Sequence, residues 1–389
     1  MQNTNKKLEI LSQKIDAGKA TKIAIFGLGS VGNFLLNFLI DEADKDLEIY
    51  VVGRNYDHLV QDVNIAKVAA SIRGLLKSNI IIKEVDLSNV DAIADFMKEV
   101  EPDFIVNSSR AYSGIKYGSI SWHNVRAYGI WTPLSISIIK NIMQAHKEAN
   151  SDAIVINTSY SDASNPWLKS AGMNYPDFGS GNLNHLVPRI KFAVRELLNL
   201  PYDKEVDVTI ATSHFHDVVI SKEGQSEGID PLLHIEVDGK EIELDKTEIF
   251  KKCAISMPTD QKRNMMNASS NFEIIKKIIH ALRDKSINYF ASPGPLGSIG
   301  GYPIKMDGRK KEVSIDERFF SYDDMKQHNR DSIYLDGIEN VADGSLIYTD
   351  ELVQKVKDVF GVDLPKKVHF SEIEQTANLL IEKIIKPNI

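Results

Sequence analysis

The stretch Lys22–Leu39, KIAIFGLGSVGNFLLNFL, constrains the fold of this chain more than any other. Lys22 to Phe26 make a short, mainly apolar run suited to a buried strand, and Phe34, Leu35, Phe38 and Leu39 recur at helical spacing. Between them Gly27, Gly29 and Gly32 complete G-x-G-x-x-G. Strand, glycine turn and helix in that order are the context a dinucleotide-binding fingerprint requires. Gly27 permits the tight turn, Gly29 lets backbone approach a pyrophosphate, and Gly32 lets the helix pack closely on its strand. The anion then sits at the helix N-terminus beside Ser30 and Val31, where unpaired N–H groups and the helix dipole favour negative charge. A plain strand–turn–helix with incidental glycines is the alternative, and the flanking pattern disfavours it.

The rest of the first half repeats this alternation. Residues 4–18 read as a polar amphipathic helix. Asp46–Arg54 holds a second strand, 57–77 a helix, Asn79–Val85 a third strand, Asp91–Val100 a helix and Asp103–Asn107 a fourth strand. Trp131–Ala149 carries a long helix with Pro133 tolerable in its first turn, and Ala153–Asn157 a fifth strand. Strands alternating with helices predict an α/β fold of the Rossmann type, a doubly wound parallel sheet. The pattern then changes. Leu183–Leu200 is helical with a break expected at Pro188, Val206–Thr212 is a strand running into Ser213-His214-Phe215-His216-Asp217, and Asp238-Gly239 marks a hairpin. Ser292–Pro303 is the densest Gly/Pro loop, a candidate cover for the cleft or subunit contact. We therefore divide the chain into a dinucleotide-binding domain with an N-terminal helix, 1–165, and an α+β substrate-binding and oligomerisation domain, 166–389.

The chain has 389 residues, with hydrophobic content of 43% and a net charge of -8, which argues against nucleic acid as the main partner. One cysteine, Cys253, excludes an internal disulfide framework and a thiolate-rich metal site. No apolar run is long enough to cross a membrane, and the N-terminus lacks the apolar core of a signal peptide, so a cytoplasmic location is the default expectation.

Ligands of open α/β sheets lie beyond the carboxyl ends of the strands. Gly27, Arg54, Asn107–Arg110 and Asn157–Tyr160 are therefore expected around one cleft, with Ser108 and Asn157 next to the cofactor. At the tip of the second strand an acidic residue would bond an adenosine 2′-hydroxyl. The sequence has Gly53, Arg54 and Asn55 instead, and a guanidinium suits a 2′-phosphate. NADP(H) is the preferred cofactor on this reading, and Asp57 could still support NAD(H).

Several landmarks resemble the lactate/malate dehydrogenase superfamily, with related NAD-dependent glycosidases. They are the fingerprint, Gln61-Asp62-Val63-Asn64, the strand Ile154–Asn157, Lys169-Ser-Ala-Gly172, Phe178–Leu183, His214 at the end of the next strand and the hairpin at Asp238-Gly239. The resemblance spans roughly residues 22–245. It implies hydride-transfer chemistry, His214 as the catalytic histidine, Asn157 contacting substrate and cofactor, and a homodimer or homotetramer. The sequence departs from the family where an aspartate should orient that histidine, since Asn184 stands there. Val187 stands where a substrate-clamping arginine should fall, with Arg189 two residues late.

The remaining candidates follow from chemistry. An imidazole titrates in the range a proton donor needs, so His214 leads. His216 would share its side of an extended segment, and His185 is a third histidine. Asp217 could orient His214 or His216, or cap the next turn. Arg110, Arg126 and Arg189 are candidate clamps for an anionic substrate, with Asn182 beside them. Tyr112 and Lys116 have Y-x-x-x-K spacing but fall in a poor helix. His214, His216 and Asp217 could hold a divalent metal, although no metal site is assigned. The favoured reading is an NAD(P)-dependent dehydrogenase or reductase acting on a small, anionic carbonyl or imine compound. Transient use of NAD in sugar epimerisation or elimination and a non-catalytic dinucleotide sensor are the rivals.

Overall fold

A computed structural model describes residues 3–112 and 114–389, with backbone alone at Ile115, Lys116 and Ser119. Helix α1 (Thr4–Asp16) precedes strand β1 (Thr21–Phe26), which leads through the glycine turn into α2 (Ser30–Asp41). Then follow β2 (Leu47–Gly53), α3 (Tyr56–Ile72), β3 (Asn79–Glu84), α4 (Val90–Val100), β4 (Phe104–Asn107), α5 (Gly114–Asn124), α6 (Thr132–Glu148), β5 (Ile154–Asn157), α7 (Ser161–Ser170) and β6 (Phe178–Gly179). The six strands form one parallel sheet in the order β3-β2-β1-β4-β5-β6, the doubly wound arrangement expected from the sequence.

The sheet is apolar on both faces because helices cover both, as parallel sheets require. Ile23 and Ile25 of β1 join a core with α1, α2 and α3, whereas Ala24 and Phe26 join a second core with α4 and α6. The period of two along one strand thus sorts residues to two different cores. Helix α1 is anchored by a buried ion pair, Lys7 Nζ to Asp177 Oδ2 at 2.7 Å, and by Thr4 Oγ1 donating to Asp177 Oδ1.

The second half is α+β, as expected. It comprises α8 (Leu183–Leu197), β7 (Val206–Ala211), α9 (His214–Glu223), β8 (Leu232–Val237), β9 (Lys240–Glu241), α10 (Lys246–Cys253) and α11 (Asn264–Asp284). After these come β10 (Ile287–Pro293), β11 (Gly301–Asp307), β12 (Glu312–Ile315), α12 (Tyr322–Leu335), β13 (Ile338–Ala342), β14 (Ser345–Tyr348), α13 (Asp350–Phe360), β15 (Lys367–His369) and α14 (Ile373–Leu380). Its strands make three antiparallel three-stranded sheets. Both cores run across position 165, which lies inside α7. Helix α11 packs on α2, and α14 packs on α6.

Four local expectations change. His214 and His216 lie in the first turn of α9, so the two rings are not on one side of an extended segment. Helix α8 runs through Pro188 without interruption. The 292–303 stretch is the turn between β10 and β11. Its two ends belong to those strands, and its Pro293, Gly294 and Pro295 are buried against α7 and β6, so it is not one open loop. The Tyr112–Lys116 segment is helical from Gly114, with Tyr112 outside the helix and the Lys116 side chain outside the described residues.

Candidate active site

The glycine turn has the geometry its sequence predicts. Gly27 has φ +92°, a conformation costly for any residue with a Cβ. A Cβ on Gly32 would lie 2.2 Å from the Gly27 carbonyl oxygen, so only glycine lets α2 start this close to β1. Gly29 caps α2 in an extended conformation, offers no side-chain acceptor and has nothing within 4 Å of the place its Cβ would take. The first-turn N–H groups of Ser30, Val31 and Gly32 therefore have no side-chain cap, and open space lies beside them. Ser108 Oγ donates to Gly27 O at 2.6 Å, bracing the turn from the end of β4. Ser108 is thus committed to the turn, and Ser30 Oγ accepts from Asn264 Nδ2 at 2.5 Å.

Gly27, Arg54, Asn55, Asp86, Ser109 and Arg110 line a cleft of about 400 Å³ beside this turn. Arg54 is exposed and, among the described residues, no ion pair engages it. Its charge helps hold Asp86 below the ordinary carboxylate range, after the hydrogen bonds that Asp86 accepts from Ser88. Asn55 Oδ1 accepts from His58 N and caps α3, so its carbonyl is occupied. Arg110 Nη2 donates to Thr158 O at 3.3 Å, just past the end of β5. The glycine contacts and the uncapped helix start fit a dinucleotide, and the Arg54 guanidinium stands at the β2 tip beside them.

Asn107 and Asn157, at the ends of β4 and β5, are fully buried and bonded to each other at 3.0 Å. Asn157 Nδ2 also donates to Ser159 O and Asn165 Oδ1, and its Oδ1 accepts from Ser159 N. Every polar position of Asn157 is used inside the protein. It therefore braces the strand ends and has no free group for a nicotinamide or substrate, contrary to the expectation from sequence.

His214 is the centre of a second constellation. Its Nδ1 is 2.9 Å from Asp336 Oδ2, and its backbone N–H donates to Asp162 Oδ1 at 3.0 Å. Asp336 is fully buried at the C-terminus of α12, where it also accepts from Tyr160 Oη at 2.6 Å and from Tyr128 N at 2.7 Å. The Tyr128 and Tyr160 rings stand edge-on to the imidazole, each with its centroid at 5.0 Å. Asn182 Nδ2 donates to the other oxygen of Asp162, so Asn182 supports the histidine through Asp162. Burial works against a charged imidazole, but Asp336, then Asp162 and Asp217, outweigh it and raise the pKa of His214 above its ordinary value. With Nδ1 facing a carboxylate, Nε2 is the nitrogen left to exchange a proton.

The other candidates separate into different roles. His216 is fully buried, with Nδ1 2.7 Å from Ser332 Oγ and Nε2 2.6 Å from Ile229 O, so both nitrogens serve the fold. Burial pushes its pKa down to about 4. Asp217 bonds neither histidine; it accepts from Ser221 Oγ at 3.3 Å, and burial pushes its carboxyl up to about 6. His185 is held neutral, its pKa pushed down to about 3 by burial and by nearby Arg189 and Arg263. Arg126 is paired with Glu223 and Glu227 and lies over the Trp122 ring, so it clamps α9 and not a substrate. Arg189 is buried and donates to Cys253 O and Met257 Sδ. Among the described residues no cluster of His, Cys, Asp or Glu could hold a metal ion.

Sequence reasoning missed Asp336, Asp162 and Tyr128, and also Arg263; it placed Tyr160 at the cleft but gave it no role. The charge of Arg263 acts on Tyr128, His185, Arg189, Asp217 and Lys222, so it stands where the faces of α8, α9 and α11 converge. The backbone here is unusual in a way that only the structure shows. Tyr160 and Asn182 have positive φ, at 43° and 38°, and such residues cluster at sites that a structure over-determines.

Comparison with known proteins agrees with this geometry. Residues 23–117 match the family described as Saccharopine dehydrogenase NADP binding domain. The fold is similar to that of lactate dehydrogenase from Eimeria maxima, determined with NADH and oxamate. That similarity has 14% identity and a TM-score of 0.51, covering 81% of this chain and 93% of the other. Malate dehydrogenase from Aeropyrum pernix gives 15% identity and a TM-score of 0.52, covering 80% and 95%. No curated protein sequence matches the chain significantly. The resemblance to the lactate/malate dehydrogenase superfamily is thus met at the level of the fold, and residues 23–117 are similar to a nucleotide-binding domain.

Proposed function

We propose that the protein is an NAD(P)(H)-dependent oxidoreductase that interconverts a carbonyl or imine compound with its reduced form, with His214 as proton donor and acceptor. The observation that carries this reading is the His214–Asp336 pair beside the carboxyl ends of β5 and β6, in a sheet whose first turn is built for a dinucleotide. A bound nicotinamide dinucleotide would supply or accept the hydride. The chain's own residues do the rest. Asp336 fixes the imidazole ring and its tautomer and favours the protonated form. In the reductive direction His214 Nε2 donates its proton to the developing alkoxide oxygen or amine nitrogen, and in the oxidative direction it takes that proton back. Tyr128 and Tyr160 wall the imidazole, which keeps water from competing for the proton.

Support for NADP(H) over NAD(H) comes from exposed, unpaired Arg54 and from the description of the matching family. The test is a thermal-shift comparison with both dinucleotides, followed by NADPH oxidation against a panel of keto acids, ketones and imines. Stabilisation by NADPH and net consumption on a panel member are expected. No stabilisation by either dinucleotide would remove the reading. Substrate turnover with no net change in cofactor redox state would favour transient oxidation within an epimerase or lyase cycle.

A further inference from the structure

A groove of about 640 Å³ lies between α8 and α11, with Val187, Phe192, Met257, Met265 and Met266 on its walls. It differs from an ordinary surface cleft in its polar atoms. Among the described residues Asn184 Oδ1, His185 Nε2 and Arg189 Nε, on three residues that line this one groove, are buried without a hydrogen-bond partner. All three atoms lie behind the groove wall, without accessible surface, so what the groove offers a ligand is its apolar side chains and its cations. Four cations, Arg189, Lys191, Lys262 and Arg263, line the groove against one carboxyl, Glu273, which burial pushes toward its neutral form. Among the described residues no hydrogen bond or ion pair engages the Arg263 guanidinium. Its charge acts both on His185 in the groove and on Tyr128 and Asp217 beside His214.

We infer that this groove is the substrate's specificity subsite, taking an elongated carboxylate whose apolar arm lies along the methionine and phenylalanine walls and whose anionic end is held by Arg263. The inference rests on the proposed oxidoreductase reading for the word substrate, but the ligand chemistry is set by the groove itself. A two- or three-carbon acid would leave most of the apolar wall wet. An unbranched arm of four or more carbons would cover it, and each added methylene buried should tighten binding about fourfold. A planar guanidinium with no internal partner is free to meet a carboxylate at two points.

The test is calorimetric titration of the cofactor-free protein with unbranched carboxylates from propionate to decanoate, using wild type, Arg263→Gln and Phe192→Asp. Phe192 and Arg263 are both partly solvent-exposed, and thermal melts would confirm that each variant folds. Affinity is expected to rise with chain length in the wild type, to fall at least tenfold in Arg263→Gln at every length, and to lose its chain-length dependence in Phe192→Asp. Affinity independent of length, or unchanged in Arg263→Gln, would overturn the inference. A parallel NADPH titration separates the two readings. If Arg263→Gln weakens NADPH and leaves the carboxylates unaffected, the arginine serves the dinucleotide and the inference fails. If the wild type binds carboxylates as stated but neither dinucleotide, the groove assignment stands and the oxidoreductase reading falls.

Discussion

The glycine cradle and the histidine site are built in opposite ways. The cradle is local: Gly27, Gly29 and Gly32 lie within six consecutive residues, braced from outside by Val52 O, Ser108 Oγ and Asn264 Nδ2. The histidine site is assembled from four remote segments, which bring Tyr128, the Asp162–Asn182 pair and Asp336 to His214. The residue that orients the imidazole is 122 positions away in sequence. A cradle of this kind binds by backbone shape and tolerates change around it. A site of the second kind depends on the packing of the whole second half.

Sharpening this contrast begins with the histidine site, where the largest effect is expected. His214→Asn should lower turnover about a thousandfold by removing general acid–base catalysis, with NADPH affinity unchanged in a fluorescence titration. Asp336→Asn should lower turnover about a hundredfold or more and move the pH profile. His214 is protonated to a higher pH than a free histidine, so reduction should fall as pH rises through that raised value. In Asp336→Asn the fall should begin at lower pH. Equal turnover in wild type and His214→Asn would break the distinction.

Gly29→Asp probes the cradle by itself. The side chain has room in the folded protein, so the melting temperature should hold while NADPH affinity drops about a hundredfold through repulsion of the pyrophosphate. An unchanged affinity would show that the dinucleotide does not bind at this turn.

His216 offers a control within the same helix. His216→Ala should destabilise by about 2 kcal/mol, because it leaves the Ile229 carbonyl without its imidazole partner and removes one of the bonds to Ser332 Oγ, while activity per folded molecule persists. Its folded pKa, depressed to about 4, lies below the unfolded value near 6.5. Between those values the unfolded state binds the extra proton, so this histidine's stability contribution is complete above pH 6.5 and is lost as pH falls toward 4. Denaturant melts from pH 7 to 4 should show less acid sensitivity in the variant than in the wild type. The smallest effect is expected for exposed Arg54. Arg54→Ala should weaken NADP(H) about tenfold and leave NAD(H) unchanged, as read by the two dinucleotides' thermal shifts.

The same contrast explains what was legible in the sequence. Strand, turn and helix are written in neighbouring residues, so the sheet and its cradle could be read directly. Strand β6 escaped because two residues carry no period. His214 and His216 could not be told apart while the segment was taken as extended. Ser213 before the run and Asp217 in its first turn were the available signs of a helix start, and a helix sends the two rings in different directions. Asp336 closes α12 in Leu335-Asp336-Gly337, a sequence typical of any helix end, and nothing local connects it to a histidine 122 residues earlier in the chain. Asn157 misled for the reverse reason. Its position at a strand end suggested a ligand contact, but neighbouring Asn107, Ser159 and Asn165 use all of its hydrogen-bonding capacity.

The central claim joins the two regions in one reaction, so its most direct test measures both in one sample. Wild type and His214→Asn would be titrated with NADPH and then followed at the nicotinamide absorbance with the panel compound that the wild type turns over. Equal NADPH affinity in the two proteins, with hydride transfer in the wild type and about a thousandfold less in the variant, is the predicted result. NADPH binding without oxidation by any panel compound in the wild type, or oxidation at the same rate in His214→Asn, would contradict it.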